Sequence, residues 1–273
     1  MQFLMENWPL VAGLLATGVV AGVLAGLLGV GGGIVIVPVL FQIFGVLGIE
    51  DAIRMQLAVG TSLATIIPTS IRSLRSHAKR GAVDWSVLKT WTPGLLVGVA
   101  LGSAVAGLVD GRVLVSVFAV VALLVAANMS FGGGRYRLGE ELPGGAGRFA
   151  MTTGVGGVSA LMGIGGGTLG VPIMSLFGFP AQRAVATASG LGLIISIPGT
   201  IGFILAGQGA EALPAGSLGF VNLIGFALIT PMTILAAPWG VRISHAISKE
   251  RLSQLFALFL AITSARMFMS VLG

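Results

Sequence analysis

Apolar positions in this chain gather into long runs instead of alternating or recurring at a helical period. The runs fall at 8–28, 33–47, 52–71, 86–109, 112–131, 149–164, 167–179, 184–205, 217–241 and 252–271. Most approach the ~20 residues that a helix needs to cross a hydrocarbon core of ~30 Å. Inside lipid a segment must satisfy its own backbone hydrogen bonds, which favours helices. The pattern predicts an all-α polytopic membrane protein with eight to ten membrane segments. Residues 33–47 give only about 22 Å of helix, and 167–179 less. Each short run follows a glycine cluster, which predicts a helical hairpin with a glycine tip, broken or re-entrant, near mid-membrane.

The two clusters are versions of one motif, GLLGVGGGIVIVP (26–38) and ALMGIGGGTLGVP (160–172). Gly29, Gly31, Gly32, Gly33 and Pro38 align with Gly163, Gly165, Gly166, Gly167 and Pro172 at one constant offset. Gly60 and Pro68 likewise match Gly190 and Pro198, Pro93 and Gly102 match Pro231 and Gly240, and Asn128 falls opposite Arg266. This order implies an internal duplication: an N-terminal repeat over 1–131, a polar linker over 132–148 and a C-terminal repeat over 149–273. Loop charge suggests how the repeats are related. The stretch 72–84 carries Arg72, Arg75, Lys79 and Arg80, whereas its counterpart 206–216 has no basic residue. The bias reverses in the next pair, where 110–112 holds Arg112 and 242–251 holds Arg242, Lys249 and Arg251. Opposite bias in matching loops predicts opposite faces and therefore an inverted repeat. With 72–84 in the cytoplasm, only Arg54, Arg112 and Arg266 of the 15 Lys and Arg residues lie outside. Both termini are then expected outside.

Composition agrees with a membrane class. The chain has 273 residues, 55% hydrophobic and 9% charged, with a mean hydropathy of +1.03; soluble domains are about one quarter charged. A net charge of +6 would suggest nucleic acid in a soluble protein, but here the basic residues lie in loops, where membrane orientation explains them. No nucleic-acid partner is expected. The opening MQFLMENWP lacks a basic n-region, so the first run is expected to be retained. With no cysteine, disulfides and thiolate metal sites are excluded.

Consecutive glycines destabilise a helix interior, but at a turn they reach φ > 0 and leave amides uncovered. A helix restarting after Gly33 exposes unpaired N–H groups and about half a positive charge. In an inverted repeat the second tip approaches from the other face, so two such ends converge on a site for a small anion. Gly31, Gly32, Gly33, Gly165, Gly166 and Gly167 are the first candidates for substrate binding. The stripes Gly18, Gly22, Gly26 and Gly94, Gly98, Gly102 read instead as helix packing. No GK[ST] follows either cluster, and Ile34 and Thr168 stand where a dinucleotide fingerprint needs glycine. Thr61, Ser62, Thr187 and Ser189 either donate to the anion or satisfy their own helix. Gln56 joins them because a buried amide needs several partners; Asn128 and Asn222 read as interhelical ties. His77 has two readings, proton coupling or gating and a solvated loop histidine. Asp84 is expected to cap the helix starting at Trp85. No carboxylate pair, histidine cluster or serine–base arrangement falls at membrane depth, so no enzyme, metal site or cofactor is expected.

The paired G-[VI]-G-G-G…V-P motifs, the run AVGTSLA (58–64) and RSHAKRGAVDW (75–85) resemble the TauE/SafE family of sulfite and organosulfonate exporters. The resemblance spans essentially the whole chain, while SGLGL (189–193) departs from the GTSL-like run. It implies a multi-pass secondary transporter of the bacterial inner membrane, exporting sulfite or an organosulfonate such as sulfoacetate. The alternative is an uptake permease or channel for sulfate-like anions. The expected partners are the anion, the bilayer and a second copy in a homodimer. An anion leaving a negative-inside cell gains about 2.3 kcal/mol per charge per 100 mV, which favours efflux.

Overall fold

A computed structural model describes residues 8–28, 32–130, 139, 142–210, 213–244 and 249–272. Over these residues the chain is all-α apart from one two-residue β-ladder. The helices of the first half are α1 (Trp8–Leu28), α2 (Gly33–Val46), α3 (Asp51–Lys79), α4 (Trp85–Leu108) and α5 (Gly111–Ser130). Those of the second are α6 (Gly145–Met162), α7 (Gly166–Leu176), α8 (Ala181–Ala206), α9 (Leu223–Ser244) and α10 (Lys249–Leu272). Strands β1 (Ser217–Leu218) and β2 (Val221–Asn222) pair antiparallel just before α9. Among the described residues four helices are long and apolar enough to cross a membrane, spanning Asp51–Lys79, Trp85–Leu108, Gln182–Ala206 and Leu223–Gly240. Large apolar side chains such as Leu101, Leu108, Leu124, Ile201, Leu205 and Leu235 face outward, as expected of a surface solvated by lipid. The coarse prediction of a polytopic all-α membrane protein therefore holds.

Two boundaries differ most from the hydropathy reading, and α6 also begins at Gly145, inside the expected linker. Helix α3 runs eight residues past the end of its apolar run, through RSLRSHAK to Lys79, because hydropathy marks the depth of a segment and not where its helix stops. Residues 217–222, taken as helical, form the β-ladder; Gly216 (φ 78°) and Gly219 (φ 53°) bend the chain there.

The short helix α2 is largely buried. In α2, Ile34, Val35, Ile36, Val37, Leu40, Phe41 and Phe44 are all buried, an all-round apolar helix of the kind that belongs in a core. It is held on α3, as α7 is held on α8. Helix α1 packs on α9, α4 on α6, α3 on α8 and α5 on α10. Exchanging the two halves of the chain carries these pairings into one another; smaller contacts such as α3–α5 and α5–α6 do not follow the exchange.

Small residues make the tightest seams. A Cβ on Gly18 or Gly22 would fall 2.6 Å from the Ile229 carbonyl oxygen or 2.5 Å from that of Thr233 on α9. Gly94, Gly98 and Gly102 of α4 press in turn on Thr152, Thr153 and Gly157 of α6, so those two helices run parallel. Helices α3 and α8 run antiparallel, since Gly60 meets Phe203, Leu63 meets Gly199 and Ser70 meets Gly192.

Candidate functional site

The candidate site is built where the two glycine turns meet. Helix α6 ends at Gly163, whose φ of 65° is left-handed. Its N–H donates to the Ala160 carbonyl, and the Ile164 N–H donates to that of Ser159, so the turn satisfies two orphan helix-end carbonyls. Gly165 then caps α7 with backbone alone. In the other half Gly32 caps α2 with φ 76°, and its carbonyl accepts from Val35 and Ile36 N–H at 3.0 and 3.1 Å. Gly33 lies directly against the second turn: a Cβ there would sit 2.7 Å from the Gly163 oxygen and 3.1 Å from Ile164 Cα. Gly31 lies outside the described residues.

Helices α3 and α8 clamp this junction. Gly163 is pressed on Val59, where a Cβ would come within 2.8 Å of the Val59 Cα. The Ser62 hydroxyl donates to the Gly163 carbonyl at 2.7 Å. Gly166, the first residue of α7, lies so close to α8 that an added Cβ would overlap Leu191 and come 2.9 Å from the Gly192 nitrogen. Gly167 is buried beside it. Left-handed backbone thus occurs at Gly32 and Gly163, whereas Gly33 and Gly166 are fixed by close approach.

The hydroxyls chosen from sequence have backbone partners. Thr61 accepts the N–H of Asn222 at 2.9 Å, and Thr187 accepts the N–H of Asp84 at 2.9 Å. Ser189 donates to the carbonyl of Ala186 in its own helix. Gln56 lies two turns before Ser62 on α3; its Nε2 donates to the Val109 carbonyl at 3.1 Å, while its buried Oε1 has no partner. His77 is half-buried on the last turn of α3, and its carbonyl accepts from Arg80 and Ala82. The structure therefore brings Gly32, Gly33, Ser62 and Gly165–Gly167 to one junction, with Thr61 beside Ser62 on α3. Thr187, Ser189, Gln56 and His77 have the local roles just given.

The Thr61 and Thr187 bonds form a reciprocal pair. Each comes from the third helix of one half and receives the amide of a residue that caps the fourth helix of the other. Asp84 Oδ1 accepts from Ser86 and Val87 N–H at the start of α4. Asn222 Oδ1 accepts from Gly225 N–H at the start of α9, so Asn222 is a cap and not the interhelical side-chain tie expected of it. Both caps close the same short motif, Gly81-Ala82-Val83-Asp84 and Gly219-Phe220-Val221-Asn222, with φ of 64° and 53° at the glycines. The offset between the copies equals that between Pro93 and Pro231; one substituted position and the Asp-to-Asn change hide the likeness.

Charge stays at the margins. Arg183 reaches Asp84 at 3.0 Å, and Arg54 pairs with Asp51 at 2.9 Å while lying over the Phe41 ring. Among the described residues the buried polar side chains are hydroxyls and the amides Gln56 and Asn222. The field at the junction comes from helix ends and hydroxyls, which favour negative charge at a helix start.

Asp84 offers a graded test of the cap. Asp84→Ala should destabilise by about 1–2 kcal/mol through loss of the cap. Asp84→Asn keeps the cap and loses only the ion pair to the exposed Arg183, a change of under ~1 kcal/mol. Thermal unfolding of the two purified variants should rank them in that order.

A family model described as "Sulfite exporter TauE/SafE" matches residues 14–267. A probable membrane transporter protein of Haemophilus influenzae is 29% identical over 260 residues, covering 93% of this chain and 97% of that protein. One of Methanocaldococcus jannaschii is 28% identical over 256 residues, covering 91% and 92%. A third, YunE of Bacillus subtilis, is 29% identical over 214 residues, covering 71% and 78%. No solved structure matches the chain. With a family match across nearly its whole length and relatives named as membrane transporters, this chain belongs to the TauE/SafE sulfite exporter family.

Proposed function

We propose that this transporter exports a small sulfur-containing anion, sulfite or an organosulfonate such as sulfoacetate, across the bacterial inner membrane. The anion is held near the midplane where α2 and α7 begin. The observation that carries this reading is the contact of Gly33 with Gly163 and Ile164, which sets two buried helix starts beside each other between α3 and α8. The reading includes an inverted repeat, supported by the antiparallel run of the matching helices α3 and α8 and by the reversed loop charge.

Purified protein in liposomes carrying an imposed potential tests transport directly. Titrating sulfite, sulfoacetate, sulfolactate, taurine and sulfate against thermal unfolding tests the substrate class: a sulfonate or sulfite should raise the melting temperature. Stabilisation by sulfate alone, with uptake against efflux polarity, would favour the permease alternative. For topology, cysteine introduced at Ser76 should label only from the cytoplasm and at Gln208 only from outside. Labelling of both from one face would make the repeats parallel and remove the convergence of helix ends.

A further inference from the structure

We propose that Thr168, in the first turn of α7, contacts the transported anion, so that the two glycine turns form unequal half-sites. This rests on the anion reading above and adds a residue that decides which turn receives the oxyanion.

Buried hydroxyls on helices bond back to the carbonyl about four residues earlier, as Thr17, Thr65, Thr152, Thr200 and Thr233 do here. Other buried hydroxyls lack a partner, including Ser103, Ser159 and Ser196, but each lies well inside a helix, with the residue four positions earlier in the same helix. For Thr168, counting back four residues reaches Ile164, before the helix begins at Gly166, and its hydroxyl makes no bond to the carbonyl of the capping Gly165 three residues back. Its Oγ1 is buried without a partner, and the residue is 3% exposed.

A second observation meets it at the same place. Gly165 brings no side-chain cap to α7, and the first-turn amides of a helix have no acceptor within it. Helical Cα–Cβ bonds tilt toward the N-terminus, which leans the Thr168 hydroxyl over those amides. A buried hydroxyl able to donate and a set of uncapped N–H groups thus share one helix start; an oxyanion is the ligand class that accepts from all of them. The matching position in the first half, at the offset that relates Gly32 to Gly166, is Ile34, which is 1% exposed. There the helix start offers methyl groups. The polar contacts come from the α7 side and the apolar wall from the α2 side.

The test uses the full purified chain, with sulfite and sulfoacetate as probes and affinity read from titrated thermal shifts. Thr168→Val should weaken each anion that wild type binds by about tenfold or more. Its ligand-free melting temperature should equal or exceed that of wild type, because the hydroxyl it removes has no partner. Thr168→Ser should restore affinity to within about threefold of wild type, about 0.6 kcal/mol, and Ser196→Ala should leave it unchanged. Wild-type affinity in Thr168→Val overturns the assignment, as does a lowered ligand-free melting temperature with binding intact, which would make the hydroxyl structural. A wild type stabilised by none of the anions overturns the anion reading itself, and this inference falls with it.

Discussion

Alanine at Gly98 is expected to destabilise the protein by about 3 kcal/mol or more, among the largest effects of any single methyl group in the molecule. The reason is what the methyl would strike. A Cβ on Gly98 overlaps the Thr153 carbonyl and comes 2.8 Å from the Gly157 nitrogen. Both are backbone atoms of α6, which cannot rotate aside like a side chain, so the whole α4–α6 seam has to open. Gly154 lies on α6 as well, yet a Cβ there meets nothing within 4 Å. Gly154→Ala should therefore be neutral or slightly stabilising, through helix propensity. Thermal unfolding in detergent, with the fraction eluting as a monodisperse peak, separates the two. Equal melting temperatures for Gly98→Ala and wild type would mean that the seam is looser than its geometry.

Gly166→Ala should abolish anion-dependent stabilisation and transport, and should do so by moving a helix. Its added methyl would overlap Leu191 and crowd the α8 backbone, driving the start of α7 away from α8 and from the junction. Gly33→Ala should act in the same way, because its methyl enters the Gly163 carbonyl at 2.7 Å. Gly32→Ala acts by another route: its nearest atom is the Ala21 oxygen at 3.1 Å, but its φ is 76°, a left-handed conformation that destabilises an L-residue by about 1–2 kcal/mol. Affinity should be measured on protein recovered as a folded peak, so that misfolding does not stand in for a binding defect. If Gly33→Ala and Gly166→Ala both keep wild-type affinity, the turns are hinges and the anion binds elsewhere.

The elements were legible because each apolar run holds a helix, and new helices begin within the glycine motifs at Gly33 and Gly166. Helix α4 starts at Trp85 behind the Asp84 cap expected of it. The glycine stripes at 18–22 and 94–102 do what small residues at that spacing do, bringing α1 to α9 and α4 to α6. Side-chain roles were harder to read. A threonine looks the same in sequence whether it faces a ligand, its own helix or a distant amide. The partners of Thr61 and Thr187 lie 161 and 103 residues away, and no local pattern reports such a pairing. The β-ladder at 217–222 was hidden for a different reason: SLGFVN continues the hydropathy of the helix behind it, and only the glycines at 216 and 219 mark the bend.

The reciprocal caps also constrain how the protein is made. The Asp84 amide waits for Thr187, which the ribosome adds 103 residues later, and the glycine seams of α1 and α4 wait for α9 and α6. At about 5–20 residues per second, that first interval is about 5–20 s. Helix α1, made before that interval begins, sits in the bilayer throughout it with its glycine seam facing lipid or the insertion machinery, because α9 is made only after Thr187. Biogenesis should therefore depend on whatever shelters the small-residue groove of α1 until α9 is made, and a slowly translated stretch in the second half should lower the yield of folded protein.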